Sequence, residues 1–361
     1  MDFTFEEEQL ALRDAVAELA KRHQPESTGG EVATGPQPLD KAAWTAIAET
    51  GLIALPFAED LGGADASAVE VSVAAVELGR GRIQSPYADA LAAATLLARL
   101  GSDEQHEQLL APLLGGDTLV VTAIAEPGCA WSLTPYDVTA RQDGVTWLLD
   151  GVKEPVRYAP DASHAIVAAK VGEQTGLFIV ETGDEQRVAL DGTPGAPLGQ
   201  PGATTDDALR AAANLAILAV ESEAFGAMQA ALDLTVGYLK TRKQFGVPLA
   251  SFQALTFRAA DMYVALELVR SSVLYTAMAL AADPLDDVAA SRLKVVAGRN
   301  ARLVGQEAIQ LHGGIGMTAE YAVGHYTCAI TDIEHSWGDT TYHLARLAGR
   351  VREYAEVSVL R

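Results

Sequence analysis

The chain has 361 residues, 49% hydrophobic and 20% charged, with a formal net charge of −22. That length fills one large core or two to three packed domains, and so acidic a surface repels phosphate backbones and anionic lipid, which argues against nucleic acid and membrane partners. Two cysteines, Cys129 and Cys328, make no disulfide framework; with an acidic N-terminus unlike a signal peptide and apolar stretches short of a membrane span, a cytoplasmic protein is expected.

From Glu6 to His23 apolar residues recur at helical spacing (Leu10, Leu12, Val16, Leu19), and Thr4 with Glu7 has the spacing of a capping box. A loop rich in Gly, Pro and Thr follows over Ser27–Pro38. Further helices are expected over Asp40–Thr50, Ala66–Leu78, Tyr87–Leu100 and Asp103–Leu114, with a turn-rich link at Ala58–Gly63, so residues 1–115 read as a helical domain. Short segments rich in β-branched or aromatic residues then run at Leu119–Ala125, Asp137–Arg141, Thr146–Leu149, His164–Lys170 and Gly176–Val180. Separated by Gly, Asp and Pro, they predict a small antiparallel β-domain over 116–207 that ends in the Gly/Pro/Thr-rich run Asp191–Asp207. From Ala208 the helical period returns and predicts four long helices over 208–361. The expected fold class is mainly α with a central β-domain.

Two stretches carry chemistry. Arg242-Lys243-Gln244-Phe245-Gly246 leads to Gln253 between two expected helices. Arginine offers a planar fork of donors suited to pyrophosphate, phenylalanine can cover an adenine face, and Gln253 can bond a ribose or ribityl hydroxyl. Read alone, Arg242 is equally a solvated charge in a plain connection. In Gln310-Leu311-His312-Gly313-Gly314, the adjacent glycines after a helix allow close backbone approach to an anion. The bland alternative there is a glycine cap with His312 facing the core.

Together, and at this spacing and chain length, the two stretches resemble the acyl-CoA dehydrogenase family, as does Glu126-Pro127-Gly128 at the entry to the β-domain. The resemblance implies an N-terminal helical domain, a central β-domain and a C-terminal four-helix bundle. It also implies FAD, desaturation of an acyl-CoA thioester by a glutamate base with hydride transfer to the flavin, and electron-transfer flavoprotein as acceptor. The family FAD site lies between subunits, so Arg242, Phe245, Gln253, Gln310, Gly313 and Gly314 are implied contacts to a neighbour's cofactor.

The departures from the family pattern are as informative. The two family positions for the base fall on Trp337 and Ala216, neither a carboxylate. An indole cannot remove a proton. Ala125 and Trp131 stand where hydroxyls would touch the flavin, Pro155 and Arg157 where a flavin-packing Trp and a hydroxyl residue belong, and Cys328 and Ala329 where a basic pair is expected. The β-domain also looks short of its last strands. Contacts made in trans survive and those made in cis do not. The chain thus resembles the non-catalytic member of actinobacterial heterotetrameric (α2β2) acyl-CoA dehydrogenases, which act on bulky steroid-side-chain thioesters. The partner would then supply the base, the flavin pocket and most of the thioester site. A self-sufficient homotetramer with Glu223 as a relocated base, or a non-enzymatic scaffold, are the alternatives. Glu320, Glu334 and Asp339 are lesser carboxylate candidates, and helix packing or a polar face explains Glu223 equally well. His312, His325, His335 and His343 have no metal-ligand spacing, so no metal is expected.

Overall fold

A computed structural model describes residues 5–25 and 39–353. Helix α1 (Glu7–His23) is capped by Glu6, whose amide donates to Gln9 Oε1 at 3.0 Å. The expected Thr4–Glu7 box lies outside the described residues through Thr4, as do Glu26–Pro38, which hold the expected loop. Asp40 accepts from the amides of Ala42 and Ala43 to start α2 (Lys41–Glu49), and Ser67 with Glu70 closes a box on α3 (Ala68–Arg80). After α4 (Tyr87–Leu100), the single helix expected over Asp103–Leu114 is divided into α5 (Asp103–Gln105), a π turn at His106–Leu110 and α6 (Ala111–Gly115). Pro112, with no N–H to give to the fourth residue back, follows the widened turn.

The β-domain comprises β1 (Val120–Ala123), β2 (Thr139–Asp143), β3 (Thr146–Lys153), β4 (His164–Val171), β5 (Gln174–Glu181) and β6 (Val188–Pro197). Strand order is β1-β4-β2-β3-β6-β5, with β4 also pairing β5, so the sheet curls back on itself. It is mixed rather than antiparallel throughout: β1 runs parallel to β4, in register Val120 with His164. Strand β6 corrects the expectation that the β region stops at Asp191 and lacks its last strands. Its Gly and Pro residues are tolerated because the ladder shifts register beside Leu149 and Asp150, where Asp150 Oδ1 accepts the Gly192 amide at 2.8 Å.

The C-terminal bundle is built on α7 (Ala203–Thr241), with α8 (Gln253–Ala282), α9 (Asp287–His312), α10 (Ala322–Glu334) and the shorter α11 (Thr340–Gly349). Between α7 and α8 lies a minimal hairpin, β7 (Lys243–Gln244) and β8 (Val247–Pro248). One core cluster joins the N-terminal helices, the β-domain and the first half of α7, and takes in Trp337; a second fills the bundle. By length and composition α7 and α8 are each apolar enough to cross a membrane, which corrects the sequence reading. The apolar window of α7 is 83% buried inside the protein, that of α8 only 39%.

Candidate functional site

A cavity of about 260 Å³ opens where the β-domain, α4, α7 and the α10–α11 turn meet, and Ala125, Trp131, Pro155, Arg157 and Trp337 all line it. Five of the replacements noticed in the sequence are thus brought to one place, while Ala329 lines a separate void. Trp337 is 8% exposed and holds a left-handed backbone, φ 58°, followed by Gly338 at φ 86°. Its carbonyl accepts from His343 Nε2 at 3.0 Å. A neutral imidazole with Nε2 donating must accept at Nδ1, here from the Ser291 hydroxyl at 3.1 Å. Burial pushes the His343 pKa down to about 4, so the ring is neutral and holds the tryptophan in place. Trp131 packs edge-on against Tyr342, with ring centroids 4.9 Å apart. Ala216, the other base position, is fully buried in α7, one turn before the cavity-lining Val220.

The cavity also holds charge that the sequence reading missed. Arg157 donates to Ser336 Oγ at 2.7 Å and faces Asp89 of α4, whose carboxyl burial pushes up to about 6 while Arg157 pulls it back. The available signal was a lone acid in the first turn of an otherwise apolar, Ala-rich helix. Glu223 does not line this cavity. It faces a separate void of about 60 Å³ with Arg82, Ser85 and Tyr158, on the far side of Arg157. Burial pushes the Glu223 carboxyl up to about 8, against the pull of Arg157 and with a further push from Asp89. A raised pKa favours the fold fully below the ordinary 4.5, and that contribution is lost as pH rises through 8. Glu223→Gln is therefore expected to change the melting temperature little at pH 5 and to raise it relative to wild type at pH 8.5, measured by paired thermal melts.

The spare carboxylates are engaged elsewhere. Glu334 Oε1 accepts the Thr340 amide at 2.9 Å and Asp339 caps α11 through the Tyr342 amide at 2.7 Å. Glu320 is exposed, and Glu221 forms a buried 2.7 Å ion pair with Lys294. The histidines do not converge: His312 bonds the Ala308 carbonyl and His325 the Ala319 carbonyl. Glu126, Cys129 and Asp137 lie close enough to share a cation. The Lys153 ammonium already sits 2.7 Å from Glu126, however, and supplies that charge.

The six motif residues lie elsewhere, on the outside. Arg242 ends α7, and its carbonyl accepts the Leu249 amide at 2.8 Å to close the hairpin. Phe245 at the hairpin tip is 92% exposed and has φ 52°. A left-handed backbone on a solvated phenylalanine is held against a strain of roughly 1–3 kcal/mol, which nothing in this chain repays with burial. Gln253, Gln310, Gly313 and Gly314 are exposed as well. The two segments are tied together by Tyr238, one turn before Arg242, whose ring stacks on His312 at 4.6 Å. His312 does face the core, as a glycine cap has it, and Gly313 at φ 66° needs its glycine. Gly314 differs, having no positive φ and open space where a Cβ would stand. Among the described residues nothing lies where its Cβ would stand.

The two places differ in their fit to a flavin dinucleotide. The cavity is smaller than the roughly 300–1,000 Å³ typical of small-molecule sites and is lined by two indoles and a guanidinium held by Ser336, so its residues suit a flavin ring poorly. The exposed set fits half of a site: a guanidinium, two amides and an open glycine backbone suit phosphate and hydroxyl groups. Chemically, the exposed set offers hydrogen-bond donors, and the carboxylates that share the cavity with Trp337 are Asp89 and Asp332.

The family models for the acyl-CoA dehydrogenase N-terminal domain and C-terminal domain match residues 6–117 and 209–351. The acyl-CoA dehydrogenase FadE28 of Mycobacterium tuberculosis is 30% identical over 365 residues, covering 97% of this chain and 99% of that protein. A chain of the ChsE4-ChsE5 complex from Mycobacterium tuberculosis superposes with a TM-score of 0.86 at 25% identity, covering 99% of this chain and 100% of that one. A chain of a variant of the Tcur3481-Tcur3483 steroid ACAD gives 0.84 at 28%, covering 96% and 98%.

Proposed function

The chain belongs to the acyl-CoA dehydrogenase family, and from that membership we propose that it is the non-catalytic member of a heteromeric, FAD-dependent acyl-CoA dehydrogenase, completing its partner's cofactor site in trans. The observation that carries this reading is the division of labour just described. The cavity is lined by Trp131, Trp337 and an Arg157 held by Ser336, while the motif residues face solvent. Two similar structures bear names of paired chains, and one is called a steroid ACAD, which favours a heteromer and a bulky thioester. FAD, when bound across the pair, accepts the hydride of the desaturation. This chain's Arg242 would hold its pyrophosphate, Phe245 its adenine, Gln253 and Gln310 its hydroxyl and amide groups, and the Gly313–Gly314 backbone would lie against the phosphates. The partner provides the base and most of the thioester site. A cytoplasmic location and electron transfer to an electron-transfer flavoprotein complete the proposal.

The test is flavin stoichiometry, for the chain alone and co-expressed with a homologue encoded beside it. A colourless lone chain and one FAD per pair are expected. Arg242→Ala should weaken flavin retention in the complex by about ten- to a hundredfold, the loss of one charge-assisted bond set. One FAD per chain in the lone protein would overturn the proposal. The search for a base would then begin at Asp89, which lines the cavity, rather than at Glu223, which does not.

A further inference from the structure

The turn between α3 and α4 buries a positive charge. Arg82 is 8% exposed and holds a left-handed backbone, φ 57°. A residue other than glycine adopts that conformation at a cost, so the chain is held against strain where this side chain turns inward. Its Nη2 donates to the Pro25 carbonyl at 2.6 Å, and its guanidinium lies 5.7 Å from the centre of the Tyr326 ring. Both partners are neutral. Nη1 is buried and has no partner among the described residues. Burial pulls the Arg82 pKa down, and only the Tyr326 hydroxyl pulls it back; no described carboxylate does.

Arg82 lines the cavity of about 60 Å³ behind Arg157, and so do Ser85 and Glu223. Ser85 Oγ and Glu223 Oε1 are likewise buried and unpartnered. Three such atoms around one enclosed space point to a common partner, since each is costly to leave bare. The space exceeds the roughly 10–15 Å³ that one water needs, and a chloride ion is little larger than a water. The surrounding charges decide between the two. Arg82 and Arg157 are both cations. Asp332 also lines the cavity, but it acts on Arg157, as Asp89 does, and not on Arg82. Glu223, pushed up to about 8 by burial, is protonated at neutral pH and offers a proton rather than a charge. Tyr87 and Tyr158, which face Glu223, are pushed up by burial and stay neutral. Water would satisfy the hydrogen bonds and leave the Arg82 charge unbalanced, whereas an anion does both.

We propose that Arg82, Ser85 and Glu223 hold a monovalent anion of chloride size in this cavity, a structural ion that ties the α3–α4 turn to α7 and α10. The ion balances Arg82 and accepts from the Ser85 hydroxyl and the Glu223 carboxyl. Deprotonation of Glu223 sets a second negative charge in the same space, so binding is strongest below pH 8 and weakens above it. None of these residues belongs to the exposed motifs, so the site does not depend on the heteromeric reading.

Thermal melts of the full chain in sodium chloride and in sodium gluconate, an anion too large for the cavity, test this at equal ionic strength. At pH 7 the melting temperature should rise with chloride and level off, and at pH 9 the rise should shrink. Ser85→Ala should raise the half-saturating chloride about tenfold, the loss of one hydrogen bond to a charged group. Glu223→Gln keeps a donor and should keep the full rise at pH 9. Crystals grown with sodium bromide in place of chloride give a readout independent of stability, an anomalous peak in contact with Arg82. Either equal melts in the two salts or no bromide at Arg82 would overturn the proposal, and bromide on exposed arginines alone would mean an adventitious ion only. Glu26, the residue after Pro25, lies outside the described residues. A chloride effect that appears only in Glu26→Gln would assign the balancing charge to that carboxylate and overturn the site as well.

Discussion

Gly226→Ala is expected to destabilise the protein by about 3 kcal/mol or more, enough to leave much of it unfolded or insoluble on expression. Helices α3 and α7 cross in near backbone contact. A Cβ on Gly226 would lie 1.9 Å from the Val76 carbonyl oxygen and 2.7 Å from the Arg80 amide nitrogen, while one on Gly79 would lie 1.9 Å from the Glu223 carbonyl oxygen. The obstacles are main-chain atoms of two helices locked together by reciprocal glycines, so no rotamer change relieves them, and the N-terminal domain would have to lift from the bundle. Gly237→Ala is the control. It lies on the same helix with nothing within 4 Å of its would-be Cβ, and helix propensity alone should stabilise it by about 0.5–1 kcal/mol. Urea midpoints of the two variants against wild type decide the matter, and a Gly226→Ala protein as stable as wild type would refute the account.

The second large effect is expected at Lys294. Its ammonium is wholly buried, 2.7 Å from Glu221, and donates to the Ile333 carbonyl at 2.9 Å. Lys294→Met would strand the Glu221 carboxyl in the core and leave the Ile333 carbonyl with the Ser336 amide alone. A cost of about 3–5 kcal/mol follows from breaking a buried pair on one side. Replacing both partners, with Glu221→Leu added to Lys294→Met, should recover most of that, since the Ile333 carbonyl keeps the Ser336 amide at 2.9 Å. Calorimetric melts of the single and double variants check this, and a double variant no better than the single would show that the pair is not what the lysine serves.

The order of elements was legible because it rests on local signals. Caps at Asp40 and Ser67, the apolar period of Tyr87–Leu100 and the β-branched runs at His164 and Gly176 need only near neighbours in the chain to be read. Strand β6 was not legible, since Gly192, Pro194 and Gly195 oppose strand formation locally and are tolerated only where the ladder with β3 slips at Leu149 and Asp150. Trp337 was readable as a single letter. That Trp131, Arg157 and Trp337, up to about two hundred positions apart in sequence, line one cavity was not.

The sequence by itself determined the helical–β–helical order and the motif residues at Arg242 and Gln310, because residue type and spacing decide these. Only the tertiary structure decided which groups share a space. It put Asp89 beside Arg157 and Glu223 behind it, left Phe245 and Gly314 in solvent, and turned an apolar face of α8 outward. Burial, the approach of distant charges and the face a helix turns to its neighbours arise from packing across the chain, and no window along the sequence contains them.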